Sequence, residues 1–399
     1  MELSTRAKNI APSATLKAAA KARALKAEGI DVISLTVGEP DFVTPKVIQE
    51  AAQTAIVKGQ ASFYTPTSGL PALKSALKNH IKKNYGLDYQ ANQLLVTPGA
   101  KFALYTAFQV LLNPGNEVLI PVPYWVSYSE QVKLAGGVPL FVHPSDPHSG
   151  KVTVSDLEKM VSPQTKILLL NSPSNPNGMI YTADELVAIA DFVSQHDLIV
   201  VADDIYSNLV YNHEVFTSIA MINPEIQKRT IVITGVSKTY SMTGWRIGFA
   251  FGDQEVIQAM SDLQSQAASN PTTVSQYAAI AALNDGEKAA EEMRQAFEER
   301  LNKAYDLVEK IPGFTLVKPH GAFYLFPNVA EAMANCGYDD LDVFVEDLLQ
   351  EAHVAVVSGT GFGVHNAIRL SYAVSPEVFQ EAVERILAFL QQKSLKCKH

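Results

Sequence analysis

A chain of 399 residues, 47% hydrophobic and 18% charged, can bury a large core and exceeds one typical domain, so two domains are expected. Its formal net charge of -9 argues against nucleic acid or an anionic membrane as the main partner, because both select basic surface; small molecules are favoured. Cys336 and Cys397 are too few for a disulfide framework, and the first residues scatter lysine and arginine without a continuous apolar segment, so neither a secretory signal nor an anchor is expected and a reducing cytoplasm is the expected compartment.

In chain order, residues 14 to 28 form an Ala-rich helical pattern that carries Lys17, Lys21, Arg23 and Lys26 and closes at Gly29. In an acidic chain this reads as a solvated face before it reads as an interaction helix. DVISLTV is then a predicted strand that runs into GEPDFVTP, where Gly38, Pro40 and Pro45 force a loop. Gly38 is either a plain turn residue or a backbone amide open to close approach by a ligand. Residues 46 to 58 and 70 to 84 are helical in period. The loop between them carries Tyr64, which counts as functional only if its neighbours in space are chemical.

From residue 92 short apolar runs alternate with helices. LLVT leads into Thr97, Pro98, Gly99, Ala100 and Lys101, and small residues at a helix start free N–H groups to grip an anion. EVLIP, GVPLFV, KILLL, LIVVA and TIVITGV follow as buried strands, with helices near 125 to 135, 155 to 161 and 182 to 195. Strands apolar throughout and separated by helices predict an α/β fold with a mostly parallel sheet covered on both faces.

Ligands of such sheets lie beyond the carboxyl ends of the strands, so the residues just after each strand matter most. They are Tyr124 and Trp125, then Asn171 and Asn175, then Asp203 and Tyr206, then Ser237 and Lys238, with Arg246 eight residues on. Trp125 alone could be core, Asn175 a turn former and Asp203 a helix cap. Together they bring an aromatic plate, an amide, a carboxylate, a phenol, an amine and a guanidinium to one rim. Such a pairing of lysine and arginine suits a phosphorylated carbonyl ligand, the arginine holding phosphate and the lysine reacting as an amine.

Beyond Phe251 the residues 254 to 268, 271 to 284 and 286 to 311 are helical in pattern. FTLVKP, AFYLFP, HVAVVSG and AIRLSYAV look like strands, with helices at 341 to 352 and 376 to 392. Residues 46–284 are therefore assigned to a large ligand-binding domain, and residues 1–45 with 285–399 to a smaller α+β domain, with a bridging helix near 286–311. SGTGFGV fails as a dinucleotide fingerprint, since Val364 stands where the third glycine belongs; a flexible active-site loop is expected there. Arg369 sits among apolar neighbours as either half of a structural ion pair or a fork for a substrate carboxylate. No metal site is expected, because the nine histidines, His143 and His148 of a Pro-rich loop among them, lack paired ligand spacing, and no GxSxG elbow occurs.

NSPSNPNG, ADDIY, SKTYSMTGWRIG, GAFYLFP and IRLSYA occur in the order and at the separations of class I/II aminotransferases among the fold type I pyridoxal-phosphate enzymes, and the chain resembles that family over nearly its whole length. TVGEPDF, PYWVSY and SATLKA make it more narrowly similar to the bacterial aspartate aminotransferases with a lysine in the GAK turn. The resemblance implies a seven-stranded type of sheet, pyridoxal 5'-phosphate as cofactor, amino acids and 2-oxo acids as substrates, and a homodimer with shared active sites. It implies that Lys238 joins the cofactor covalently and later moves the substrate Cα proton, and that Asp203 pairs with the pyridine nitrogen. Tyr206 and Asn175 would hydrogen-bond the ring oxygen, and Trp125 would stack on the ring. Ser237, Arg246 and the amides of Gly99, Ala100 and Lys101 would hold the phosphate, with Tyr64 of the partner subunit. Arg369 would grip the α-carboxylate, with Asn175, Trp125 and the Gly38 amide beside it.

Many aspartate aminotransferases read the side-chain carboxylate with an arginine from the partner subunit, in a segment corresponding to residues 264 to 273 here; LQSQAASNPTT, which spans it, contains no arginine. The resemblance gives that work to Lys101, with Ser13 and Thr15 closing over it; the plainer alternative is a lysine that only ends a helix. The expected reaction is ping-pong transfer from L-aspartate to 2-oxoglutarate. Aromatic, alanine or prephenate transamination stays open, as, more distantly, does a cystathionine or cysteine-S-conjugate β-lyase. A ligand-sensing regulator is disfavoured, since about 30 residues ahead of the first strand are too few for a DNA-binding domain. Asn177 and Asp204 depart from the family's usual NPTG and ADEIY at positions expected not to touch the cofactor.

Overall fold

The computed structural model describes residues 2–146 and 149–397, and His148 lies outside them. The first strand, β1 (Ile33–Ser34), precedes the main sheet, which is made of β2 (Leu94–Thr97), β3 (Glu117–Pro121), β4 (Val138–Val142), β5 (Thr165–Asn171), β6 (Ile199–Asp203), β7 (Thr230–Gly235) and β8 (Gly248–Phe251). Its order is β2-β8-β7-β6-β5-β3-β4, with seven strands as the resemblance implied. All pairs among β3 to β7 are parallel, whereas β8 runs antiparallel to both β2 and β7. The reason for the reversal is local: residues 236–247 between β7 and β8 form turns and the 3-10 helix Thr243–Trp245 and no crossover helix, so the chain returns antiparallel.

Both faces of the sheet are covered, and the strands show it residue by residue. Leu168, Leu170, Val200, Ala202, Val232 and Phe249 enter one core, while Ile167, Leu169, Val201, Ile231, Ile233 and Ala250 enter the other. Alternation along a strand is thus hidden in the sequence, because both phases are apolar. The register sets Asn171 beside Asp203 and Asp203 beside Ile233, so the carboxyl ends of β5, β6 and β7 form one level rim.

A second core gathers Ile33, Leu35, Phe297, Leu301, Val308, Phe323, Tyr324, Ile368 and Phe389, together with Tyr206 and Leu209 from just past β6. Helix Glu287–Val308 buries Met293, Phe297, Leu301, Ala304 and Val308 at helical spacing, and its 22 residues span roughly 33 Å. Here β9 (Tyr324–Leu325), β10 (Val354–Ala355), β11 (Val357–Ser358) and β12 (Ile368–Ser371) form a parallel pair β1-β10 and an antiparallel sheet β11-β12-β9.

Several expectations need correction in this part. FTLVKP is not a strand and contributes only the bridge between Thr315 and Asn328. HVAVVSG divides at Val356 into two strands of different sheets. SGTGFGV is no flexible loop: Gly359–Phe362 form a 3-10 turn, Phe362 is fully buried, and Gly359 allows close packing, since a Cβ there would lie 2.4 Å from the Ala367 carbonyl oxygen. Among the described residues no helix is long and apolar enough to cross a membrane, and no cluster of His, Cys, Asp or Glu could hold a metal ion.

Candidate active site

A cleft of about 470 Å³ opens between the sheet rim and the second core. Its walls include Gly38, Ala100, Lys101, Trp125, Asn175, Asp203, Tyr206, Ser237, Lys238, Arg246 and Arg369. Gly99 lies just behind, against Arg246. Tyr64 is not brought there; its side chain is 89% exposed on the loop before helix Pro71–Tyr85.

At the floor is Asp203, the last residue of β6. Its Oδ2 accepts from the Tyr128 hydroxyl at 2.8 Å and its Oδ1 from the Ile205 amide at 3.2 Å. Burial pushes its carboxyl up to about 6, a rise held back by Tyr128, the Ile205 amide and the nearby Lys238 charge. Lys238 follows β7, and its Nζ donates to the Gly38 carbonyl at 2.5 Å, about 6.0 Å from the Tyr206 ring centroid. Burial pushes the amine down to about 8; Arg369 and Arg246 add to this, while Glu39 and Asp203 oppose it.

The Lys238 to Arg246 segment turns back on left-handed Ser241 and Arg246, with φ of 51° and 58°. The N-terminal loop holds it there: Thr44 Oγ1 donates to the Ser241 carbonyl at 2.6 Å, Trp245 Nε1 donates to Thr44 Oγ1 at 2.9 Å, and Thr243 Oγ1 donates to Glu39 at 2.7 Å. Strain of this kind persists where the surroundings over-determine the backbone, and here it aims Arg246 at the start of helix Ala100–Leu111. Gly99 has φ +88°, and a Cβ on it would sit 2.2 Å from an Arg246 nitrogen. The helix start has no side-chain cap and no acidic residue in its first turn, so its amide donors stay open.

Arg369 is 1% exposed and pairs with no carboxylate among the described residues, which speaks against the structural ion pair. Its Nη1 donates to Asn175 Oδ1 at 2.9 Å and its Nη2 to the Thr36 carbonyl at 2.7 Å, while Nε has no partner. The guanidinium lies 4.4 Å from the Tyr324 ring centroid and 5.2 Å from that of Phe362. A buried cation without a counter-charge is costly unless an anion arrives. From Arg369 a chain of bonds runs to the floor: the Asn175 amide donates to Asn171 Oδ1 at 2.9 Å, and Asn171 Nδ2 to the Asp203 carbonyl at 2.8 Å. Across the cleft, Lys101 Nζ stands 4.7 Å above the Trp125 ring, and burial and the Arg246 charge lower its proton affinity.

Sequence reasoning missed four contributors. Tyr128 lies in the first turn after the strand end that supplied Trp125, so the post-strand rule reaches it when extended by one turn. Tyr324 meets the Tyr206 hydroxyl at 2.9 Å and lies 3.0 Å from where a Gly38 Cβ would be. Thr36 contributes only a carbonyl, which no side-chain pattern reveals. Arg23 stays exposed, as a solvated face requires, and also lines the cleft, because Leu16, Ala19 and Arg23 share one face of helix Ala14–Ala27.

A doubly covered, mostly parallel sheet whose rim presents a lysine and a buried aspartate, facing the uncompensated Arg369 of the second core across one cleft with Arg246 beside it, defines an enzyme that handles anionic carbonyl and amino compounds. Residues 30–386 match the family described as aminotransferase class I and II, and the chain belongs to it. It is 51% identical over 394 residues to an aspartate aminotransferase of Geobacillus stearothermophilus, a match covering 99% of this chain and 100% of that one. It is 52% identical over 391 residues to an asparagine–oxo-acid transaminase of Streptococcus mutans, covering 98% of this chain and 100% of that one. Among solved structures, an aspartate aminotransferase of Thermus thermophilus with maleate superposes with TM-score 0.92 at 37% identity, covering 97% of this chain and 99% of that one.

Proposed function

We propose that the chain exchanges the amino group of L-aspartate for the oxo group of 2-oxoglutarate, in two half-reactions at one site with pyridoxal 5'-phosphate bound. The observation that carries this reading is that Lys101, Lys238, Arg246 and Arg369 line one cleft, and none of them forms an ion pair with a carboxylate among the described residues. An anion is wanted at both ends of the cleft.

The residues fit that cofactor. Arg246, Ser237 and the open amides after Gly99 suit its phosphate, and the uncapped helix start adds a favourable dipole. Asp203 suits a protonated ring nitrogen, and the Tyr206 hydroxyl and Asn175 amide suit the ring oxygen. Trp125 offers a face for stacking. When bound, the group supplies an electron sink for negative charge at the substrate Cα.

The chain's own residues do the remaining work. Lys238, lowered to about 8 by burial, offers a free amine near neutral pH and carries the proton at Cα. Asp203 holds the ring nitrogen's proton in place, and Tyr128 holds Asp203. Arg369 fixes the α-carboxylate with its planar fork, itself positioned by Asn175 and Thr36. Lys101 receives the side-chain carboxylate, and the loop from Thr36 to Glu39 with Tyr324 keeps water from the reacting carbon.

Lys101→Ala is expected to lower kcat/KM for aspartate roughly 10- to 100-fold, the loss of one hydrogen bond to a charged group, and to change alanine turnover little. Steady-state kinetics on both donors checks this, and equal loss on both would remove the role from Lys101. Asparagine is a second reading, favoured by the 52% identity to the Streptococcus mutans transaminase. Native turnover of asparagine ahead of aspartate would establish it. Faster turnover of phenylalanine, alanine or prephenate would instead favour the broader alternatives on this scaffold.

We infer as well that two copies share their sites. Tyr64 and Phe63 are exposed, and Val57 at the end of the preceding helix is 87% exposed, apolar surface that a second copy would cover. Sedimentation should give a two-chain mass, and Tyr64→Phe should weaken retention of pyridoxal phosphate on dialysis. A monomer with full activity would overturn the sharing.

A further inference from the structure

Behind Asp203 lies a second buried carboxyl that the reaction above leaves idle. Asp204 follows directly after β6, and its side chain faces Tyr85 of one core while that of Asp203 faces Tyr128 of the other. It is 3% exposed, and its Oδ2 has no hydrogen-bond partner. The groups that face it are hydroxyls: Tyr85 from helix Pro71–Tyr85 and Ser218, which caps the 3-10 turn Ile219–Met221, with Tyr89 further out. The Oη atoms of both tyrosines and Ser218 Oγ are likewise without partners. Asp203 is the charged group that bears on Asp204, and among the described residues no lysine, arginine or histidine does.

Two adjacent buried carboxyls do not both ionise cheaply, and unequal surroundings decide which one keeps the charge. Asp203 has the Tyr128 hydroxyl, the Ile205 amide and the Lys238 charge. Asp204 has only the neutral Ser218 and Tyr85 hydroxyls, which favour its anion less than a cation would and can equally accept a hydrogen bond from its neutral acid. We propose that Asp204 is held as the neutral acid at neutral pH, and that its retained proton keeps Asp203 the charged member of the pair. Asp204 is then a positioning residue that acts through Asp203. This second half rests on the reading of Asp203 as the partner of the cofactor nitrogen; the first half does not. Burial pushes the Asp204 carboxyl up to about 8, with the Asp203 charge adding to the rise and the Ser218 and Tyr85 hydroxyls holding it back, and burial pushes Asp203 up to about 6. Once Asp204 ionises, a second negative charge beside Asp203 raises the proton affinity of Asp203 and draws the proton from the group it should serve.

The test compares the native holoenzyme with Asp204→Asn, which keeps the shape of the neutral acid and has no proton to lose. A folded value near 8 against 3.8 in the unfolded chain means the folded state keeps a proton that the unfolded state has shed. That contribution to stability is therefore lost as pH rises from about 4 to about 8 and is level above. The melting temperature of Asp204→Asn, minus that of the native enzyme, should climb from pH 5 to pH 8 and then stay flat. A difference independent of pH overturns the neutral acid. In kcat, the native enzyme should decline above pH 8 while Asp204→Asn stays level; parallel profiles overturn the action through Asp203. If Asp204→Asn does not fold, the infrared band of a protonated carboxyl in the native enzyme must fade with a midpoint near pH 8. Its absence at pH 7 overturns the proposal. The melting and infrared results do not depend on the donor amino acid, so a failed aspartate assignment shows separately, as absent aspartate turnover in the native enzyme.

Discussion

Lys238→Ala is expected to abolish transamination, lowering kcat by roughly ten-thousand-fold or more, the upper range of a positioned acid–base group and here combined with loss of the nucleophile. The structural reason is that no other described amine can substitute. Lys101 lies over Trp125 on the other wall, and the remaining cations of the cleft floor are guanidinium groups. Borohydride should fix pyridoxal phosphate on the native chain and not on Lys238→Ala, whose cofactor should leave on dialysis. With burial holding the amine near 8, capture of an added aldehyde by the cofactor-free chain should rise about ten-fold from pH 7 to pH 9, following the free-amine fraction. A variant that retains activity, or a capture rate that is flat with pH, would overturn the assignment.

Arg369→Met is the second large effect. It keeps an unbranched apolar stem and removes the guanidinium that Arg369 contributes among the fully buried described residues. Truncating one partner of a buried charge pair costs about 2–5 kcal/mol, so kcat/KM for aspartate should fall roughly 30- to 4,000-fold. Thermal stability should not fall with it, because the free protein carries this charge without a counter-ion and leaves Nε unsatisfied. That combination separates a binding role from a structural one. If Arg369→Met melts well below the native chain and keeps its affinity for aspartate, the guanidinium belongs to the fold instead of the substrate.

Much of the large sheet was legible because strands buried on both faces become unbroken apolar runs, as in KILLL and LIVVA. The strands of the second core were harder. Most are two residues long and pair across large sequence separations, Ile33 with Val354 for instance, so no local period identifies them. FTLVKP has strand-like composition, but the chain around it finds only one bridge. SGTGFGV looked mobile from its glycines; those glycines instead permit tight packing that buries Phe362 under Arg369.

The sequence by itself determined the inventory of chemistry: a lysine and an arginine after one strand, an aspartate after the next, small residues at a helix start, and an arginine set in an apolar strand. These follow from covalent order and strand period, which are local. Only the tertiary structure decided who is whose partner. It gave Asp203 to Tyr128, Arg369 to Asn175 and the Thr36 carbonyl, and Lys101 to the Trp125 face, and it left Asp204 among hydroxyls and Tyr64 facing outward. Charge state depends on burial and on neighbours brought from far along the chain. For that reason Arg369 read equally well as ion pair or carboxylate fork until its surroundings were known to hold no acid.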